Sequence, residues 1–324
     1  FFLNIFFCVI IIFMDSSKIL ISLVLPIHNE EGNILELYAR AKKVLGSLGN
    51  HEIIFVNDGS QDGSLPKLME ICASDKKAKV IDFSRNFGHQ IAISAGINNA
   101  TGQAVVVMDS DLQDPPEVIY NLFEKWREGF EVIYAKRKTR KDGVFKKITA
   151  FVFYRLMKKL ANVEIMEDAG DFYLLDKQAA DAMKDIRENS RFMRGLTSWI
   201  GFKRTYVLFD RMNRKSGKTA YPLKKMIKFA IDGATSFSHI PLRMATYLGL
   251  LSIMSGFILG IYATYQKIYF PQETAKGWTS LILSIFFIGG VQLIMLGIMG
   301  EYIGRIYTET KNRPLYIIKR KINF

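Results

Sequence analysis

Two aspartates one residue apart, Asp109 and Asp111, close an apolar run that ends at Met108. Carboxylates placed together at the end of a buried strand repel each other, and a cation between them relieves the repulsion. Mg²⁺ or Mn²⁺ takes hard oxygen ligands and is commonly held by one or two carboxylates plus substrate phosphates. There it neutralises the charge that develops on a departing diphosphate. The same loop runs on through Gln113, Asp114, Pro115 and Pro116. Two earlier loops have a similar make-up, Pro26-Ile27-His28-Asn29-Glu30-Glu31 and Asn57-Asp58-Gly59-Ser60-Gln61-Asp62-Gly63. Any one of them reads as a turn, because Asp, Asn, Gly and Pro are the usual turn formers. Three such loops at successive strand ends, in a chain of net charge +13, read as a site. The Asp58 loop offers acceptors for the donors of a nucleotide base. No GxGxxG follows the first strand and no P-loop signature occurs, so the metal, rather than a helix N-terminus, would hold a diphosphate.

The elements that must position these loops follow from hydrophobic patterning. Ile19 to Leu25 is a short continuous apolar run, as expected of a strand buried on both faces. Asn33 to Leu48 carries apolar residues at helical spacing and stops at Gly49. Strands are predicted over Glu52 to Val56, Lys79 to Phe83 and Gln103 to Met108, with helices over Leu65 to Ser74 and Gln90 to Asn99. This alternation implies βαβ units and a mostly parallel α/β sheet, in which ligands bind at the carboxyl ends of the strands.

The second half differs. Met244 to Tyr265 and Trp278 to Met299 contain no charged residue and reach the roughly 20 residues needed to span a bilayer. Glycines recur within both, allowing close helix packing. Phe145 to Leu160 and Tyr221 to Ile231 mix apolar residues with lysine and arginine, as expected of helices lying in a membrane interface. Basic residues flank the spans on one side, including Arg243 and the tail from Arg305 to Lys321, which places the catalytic domain and both termini in the cytoplasm. Residues 1–13 are almost wholly apolar and are set aside as an extension, Met14 being the expected start. The resulting division is 14–220 for the catalytic domain, 221–243 for a juxtamembrane segment, 244–303 for two spans (244–266 and 278–300) and 304–324 for a basic cytoplasmic tail. With only Cys8 and Cys72, neither a disulfide framework nor a zinc site is expected. The positive charge calls for an anionic partner, but no nucleic-acid-binding motif is present.

Several segments in order resemble those of family 2 glycosyltransferases: Val24 to Glu30, Val56 to Asp62 and Asp109 to Pro116. More narrowly, Phe83-Ser84-Arg85-Asn86-Phe87-Gly88-His89-Gln90, Asp168-Ala169-Gly170-Asp171-Phe172, Arg191 to Gly195 and Asp232 to Ser238 resemble the polyisoprenyl-phosphate glycosyltransferases, which include dolichol-phosphate mannose synthase and the bactoprenol glucosyltransferases. The resemblance covers about Ile19 to Lys311. It implies a GT-A fold and inverting transfer of one sugar, UDP-glucose being the first choice of donor, to undecaprenyl phosphate or a similar polyisoprenyl phosphate at the lipid bilayer. Carried over residue by residue, Asp109, Asp111 and Gln113 match the positions that bind Mg²⁺ or Mn²⁺ and diphosphate, while Pro26, Glu30 and Asp58 match nucleotide-binding positions. Asp171 is the expected active-site carboxylate, with Asp168 its rival. Arg137, Arg211 and Arg214 are candidates for the acceptor phosphate, since anionic donor and acceptor must approach each other. The family commonly carries Ser-Lys where this chain has Thr219-Ala220 before Tyr221, which leaves the phosphate contacts of that segment open. A homo-oligomer is compatible with the sequence.

Two other readings are weighed against this one. A processive polysaccharide synthase shares the donor motifs, but QxxRW is absent and two spans are too few for a channel within one chain. A non-catalytic membrane scaffold would suit the basic charge, but it leaves Asp109, Asp111 and Asp171 without a purpose.

Overall fold

The computed structural model describes residues 20–138, 166, 169–189, 191–211, 240–269 and 278–324. The chain forms two compact units, and Pro314–Phe324 belongs with the first. That unit begins with four strands, β1 (Leu20–Ile27), β2 (Asn50–Asn57), β3 (Ala78–Phe83) and β4 (Ala104–Val107), joined by α1 (Ile34–Leu48), α2 (Ser64–Ser74) and α3 (His89–Asn99). After a single 3₁₀ turn (Pro116–Val118) come α4 (Ile119–Arg127), β5 (Val132–Arg137), β6 (Ala169–Asp176), α5 (Lys177–Asp185), α6 (Met193–Trp199) and β7 (Arg204–Phe209). A final strand, β8 (Ile318–Ile322), closes the chain.

These strands make one eight-stranded sheet in the order β7-β5-β6-β4-β1-β2-β3-β8. β4, β1, β2 and β3 run parallel, as do β5 and β7, while β6 runs antiparallel to both of its neighbours and β8 antiparallel to β3. The sheet is thus mostly parallel and α/β, as the strand and helix alternation implies. β1 is the central parallel strand, and from Ile21 to Ile27 it is buried on both faces. That burial explains the continuous apolar run. α1 packs against the sheet through Ile34, Leu37, Ala41, Val44 and Leu45, the 3.6-residue stripe of its sequence. The Asp176 side chain starts α5 by accepting from the Gln178 N–H at 2.9 Å, an N-cap that ties the end of β6 to a helix.

The second unit contains two long helices, α7 (Ile240–Tyr269) and α8 (Trp278–Thr310). Both are long and apolar enough to cross a membrane. Their large side chains face outward, with Phe257, Phe286 and Leu293 all more than 70% exposed. A core helix of a soluble protein would bury such residues. The two helices pack at Gly249, where a Cβ would lie 3.3 Å from the Met295 methyl. Both helices outrun the spans expected over 244–266 and 278–300. The expected basic tail over 304–324 is also corrected in form: α8 continues to Thr310, and β8 then adds to the catalytic sheet. Its lysines and arginine hide a strand whose half-buried Ile318 and Ile322 lie along the β3 edge. The interfacial helices expected over 145–160 and 221–231, and the extension 1–13, lie outside the described residues.

Candidate active site

The carboxyl ends of β1, β2, β3 and β4 present their loops on one side, as parallel strands must. The loop after β2 is locked to the loop after β3. Asp58 accepts the backbone N–H of Phe87 through Oδ1 at 2.6 Å and that of Gly88 through Oδ2 at 3.0 Å. Gly59 adopts φ +63°, and a Cβ there would sit 2.5 Å from the Asn86 backbone nitrogen. Only glycine fits a left-handed residue pressed against a neighbouring main chain. Gly59→Ala is therefore expected to cost about 1–3 kcal/mol of stability. A thermal melt of the full chain would show it, and an unchanged melting point would remove the claim that the two loops are locked together.

Beyond β4 the acidic loop turns sharply, with Leu112 at φ +58°. Asp111 Oδ1 accepts the Gln113 N–H at 3.1 Å. Arg211, just after β7, lies 3.5 Å from Asp114 and 4.0 Å from Asp111. Asp114 is fully buried, and both burial and the nearby Asp109 push its carboxyl up to about 6. Arg137, at the end of β5, faces the same loop. Burial and the neighbouring Arg211 lower its pKa, while Asp114 acts in the opposite sense.

Asp171, on β6, is the other centre of charge. It is buried, and its Oδ1 accepts from Arg194 Nε at 3.0 Å. Its Oδ2 accepts from Gln90 Nε2, also at 3.0 Å. Gln90 Oε1 in turn accepts the Met193 N–H at 2.9 Å, so one side chain joins the start of α3, the middle of the sheet and the start of α6. His89 Nε2 lies 3.2 Å from Asp109 Oδ1 and 3.4 Å from Asp171 Oδ2, bridging the acidic loop to β6. Desolvation works against charge on this imidazole, but the two carboxylates outweigh it and raise its pKa well above the ordinary value. Burial alone would raise the Asp171 pKa. Arg194 and His89 reverse that and hold the carboxyl well below the usual range.

The structure therefore brings Asp109, Asp111, Arg137, Asp171 and Arg211 into one charged cluster and adds His89, Gln90, Asp114 and Arg194 to it. Nothing in the sequence alone gives these four a role, although His89, Gln90 and Arg194 stand in segments that carry the family resemblance. Gln113 is half-buried in the acidic loop. Pro26 is buried within β1, and Glu30 Oε2 accepts from Asn33 Nδ2 at 2.6 Å. Asp168 and Arg214 lie outside the described residues. A separate cavity of about 550 Å³ opens at the ends of β1, β2 and β3, lined among others by His28, Asn57, Gln61, Asp82, Arg85 and Lys319. Pro26, Glu30 and Asp58 do not line it, and the carboxylate of Asp58 is taken up by the two backbone N–H groups.

An acidic loop, a buried carboxylate and a cluster of arginines thus gather at the strand ends of this α/β sheet, where such folds bind their ligands. Residues 22–183 match Glycosyl transferase family 2, and residues 240–306 match the GtrB C-terminal hairpin. The uncharacterized glycosyltransferase YkcC of Bacillus subtilis is 50% identical over 307 residues, covering 94% of this chain and 95% of that protein. A prophage bactoprenol glucosyl transferase homolog of Escherichia coli is 42% identical over 303 residues, covering 93% and 98%. A crystal structure of glucosyl-3-phosphoglycerate synthase from Mycobacterium tuberculosis, with Mn²⁺, UDP and phosphoglyceric acid, aligns at TM-score 0.48 and 19% identity, covering 68% of this chain and 78% of that one. The chain belongs to glycosyl transferase family 2 and is a glycosyltransferase with a GT-A-like fold.

Proposed function

We propose that this chain transfers a single sugar, glucose from UDP-glucose, to a polyisoprenyl phosphate such as undecaprenyl phosphate, with inversion at the anomeric carbon. The observation that carries this reading is the continuous cluster from Asp111 and Asp114 through Arg211 and Arg137, and from Asp109 through His89 to Asp171 and Arg194. Such a cluster suits a divalent cation and diphosphate, with cations beside them for a second phosphate. The names of the bactoprenol glucosyl transferases among the relatives and the match to their C-terminal hairpin support the lipid acceptor. The two long apolar helices support action at a membrane, with the catalytic unit and both chain ends on its cytoplasmic side.

The residues fit Mg²⁺ or Mn²⁺. Asp109 Oδ1 and both oxygens of Asp114 are buried without a well-formed hydrogen bond, and the donors are hard carboxylate oxygens. Among the described residues no cluster of three or more acidic, histidine or cysteine side chains forms a complete cage. The site therefore suits an ion shared between Asp109, Asp111 and substrate phosphates. Such an ion, when bound, would offset charge on the leaving nucleoside diphosphate. The nucleoside fits the cavity at the ends of β1 to β3. Arg137 and Arg211 draw in the acceptor phosphate, one of whose oxygens attacks the sugar C1 as the bond from C1 to the diphosphate oxygen breaks. That phosphate is already an anion near pH 7, so Asp171 orients the reacting groups more than it removes a proton.

The test uses full chain in membranes with undecaprenyl phosphate, offered UDP-glucose, UDP-N-acetylglucosamine, GDP-mannose or a nucleotide-linked 4-amino-4-deoxyarabinose. Transfer should be selective for UDP-glucose, stop with EDTA and recover with Mg²⁺ or Mn²⁺. Binding of a donor without transfer to lipid from any of them would leave a scaffold rather than an enzyme.

A further inference from the structure

β8 does more than cover an edge. Strands at a sheet edge need protection from pairing with other chains, and an added antiparallel strand supplies it. That role accounts for Ile318, Ile322 and the backbone ladder, including the Ser84 N–H bonded to the Ile317 carbonyl at 3.0 Å. It also accounts for Asn323, whose Nδ2 donates to the carbonyls of Cys72 and Ala78, both at 2.8 Å. It does not account for Lys319. In the register, Asp82 faces Arg320 and Phe83 faces Ile318, so one step along β3 matches two along β8. Lys319 is the extra residue of this bulge. In a regular strand Lys319 and Lys321 would point to the same face. Here Lys321 Nζ reaches Asn99 Oδ1 on α3 at 2.6 Å, while Lys319 lines the cavity. Bulges re-aim side chains in this way at sheet edges beside active sites.

The next residue reaches the same cavity indirectly. Arg320 Nε lies 2.8 Å from Asp82 Oδ2 in an ion pair, and Asp82 Oδ1 accepts from Asn57 Nδ2 at 2.8 Å. Asp82 and Asn57 both line the cavity, so β8 fixes part of its floor as well as supplying a cation to its wall. Tyr316 stacks on Phe83, another lining residue, with ring centroids 5.1 Å apart.

We infer that the C-terminal strand is part of the donor site, and that Lys319 donates a hydrogen bond to an oxygen of the donor's nucleoside. This rests on the reading that the cavity takes that nucleoside. The acidic loop after β4 takes the diphosphate, so the ligand group that reaches β8, beyond β3, belongs to the nucleoside end. The strand thereby makes the donor pocket depend on residues that follow both long helices in the chain.

The experiment measures UDP binding by calorimetry, and donor KM and kcat, for the full chain in detergent. Lys319→Ala should weaken UDP binding and raise donor KM about tenfold, the scale of one charge-assisted hydrogen bond. Its kcat, acceptor KM and melting point should stay near those of the parent. Lys319→Arg should recover most of the affinity. Lys321→Ala, on the other face of the same strand, should bind UDP as the parent does. If Lys319→Ala binds UDP as tightly as the parent, β8 is an edge cover and the inference fails while the proposed activity stands. If both lysine variants weaken binding equally and melt early, a general loss of the strand explains the result and the specific role of Lys319 is overturned. A parent chain that binds none of UDP, GDP and CDP would overturn the reading of the cavity itself.

Discussion

Replacing Asp111 by alanine is expected to cut turnover about a thousandfold and to remove its dependence on added Mg²⁺ or Mn²⁺. Asp109 and Asp111 are the carboxylates that close β4, and in the proposed reaction the leaving nucleoside diphosphate gains charge beside them. The surroundings limit any substitute for Asp111. Its Oδ1 holds the Gln113 N–H, and its Oδ2 is 4.0 Å from Arg211. Alanine removes the anion but leaves Arg211 beside Asp114 at 3.5 Å, so the loop keeps an ion pair and the fold should persist. A titration of Mn²⁺ in the presence of UDP checks this directly. The parent should bind the ion with UDP present and the variant should not, while their melting points agree. Equal turnover and equal response to metal in the two proteins would remove Asp111 from the site.

The parallel half of the fold was legible because its physics is local. β1 and β4 are buried on both faces and read as apolar runs broken only by Ser22, while β2 and β3 carry shorter apolar stretches, 53–56 and 80–81, between polar residues. β5, β6 and β7 carry no such signal. β6 opens with Ala169-Gly170-Asp171, a polar start that periodicity does not separate from a loop, and its pairing with β4 and β5 is antiparallel and distant in sequence. β8 lies in what the sequence presents as a basic tail, because Lys319, Arg320 and Lys321 outweigh two isoleucines in any count of charge. Its partner β3 lies more than two hundred residues earlier, and only tertiary structure brings them together.

The site divides in the same way. Asp109 and Asp111 were legible because they are neighbours in sequence and their repulsion is visible there. The Asp171 environment was not, because it is assembled from the starts of α3 and α6. Gln90 and Asp171 are separated by 81 positions, and Gln90 meets the Met193 N–H across 103. The segments holding His89, Gln90 and Arg194 carry part of the family resemblance, but nothing local shows that all three turn toward one carboxylate. Asp58 shows the reverse. The sequence offers its carboxylate to a base, whereas in the fold that carboxylate joins two loops.

Asp171→Asn is expected to lower kcat about 10²- to 10⁴-fold while changing donor KM by no more than a fewfold. Asparagine has nearly the same shape, so the effect isolates charge and hydrogen-bonding sense. Asp171 accepts from Arg194 on one oxygen and from Gln90 on the other, with His89 3.4 Å from the second. An amide presents one oxygen and one NH₂, and that NH₂ must face a donor on one side or the other. The half-buried Arg194 and the exposed His89 also lose the anion that balances them, which misplaces both where the acceptor would approach. On the proposed placement the donor's nucleoside takes the cavity at the ends of β1 to β3, whose lining does not include Asp171, and so its binding should survive. Steady-state kinetics with each substrate varied, together with calorimetric binding of UDP and a thermal melt, separates the outcomes. A large fall in kcat with UDP binding and melting point preserved supports a role at the reacting groups. A variant that loses UDP binding and melts early would make Asp171 an anchor for α3 and α6, with the chemistry resting on other residues.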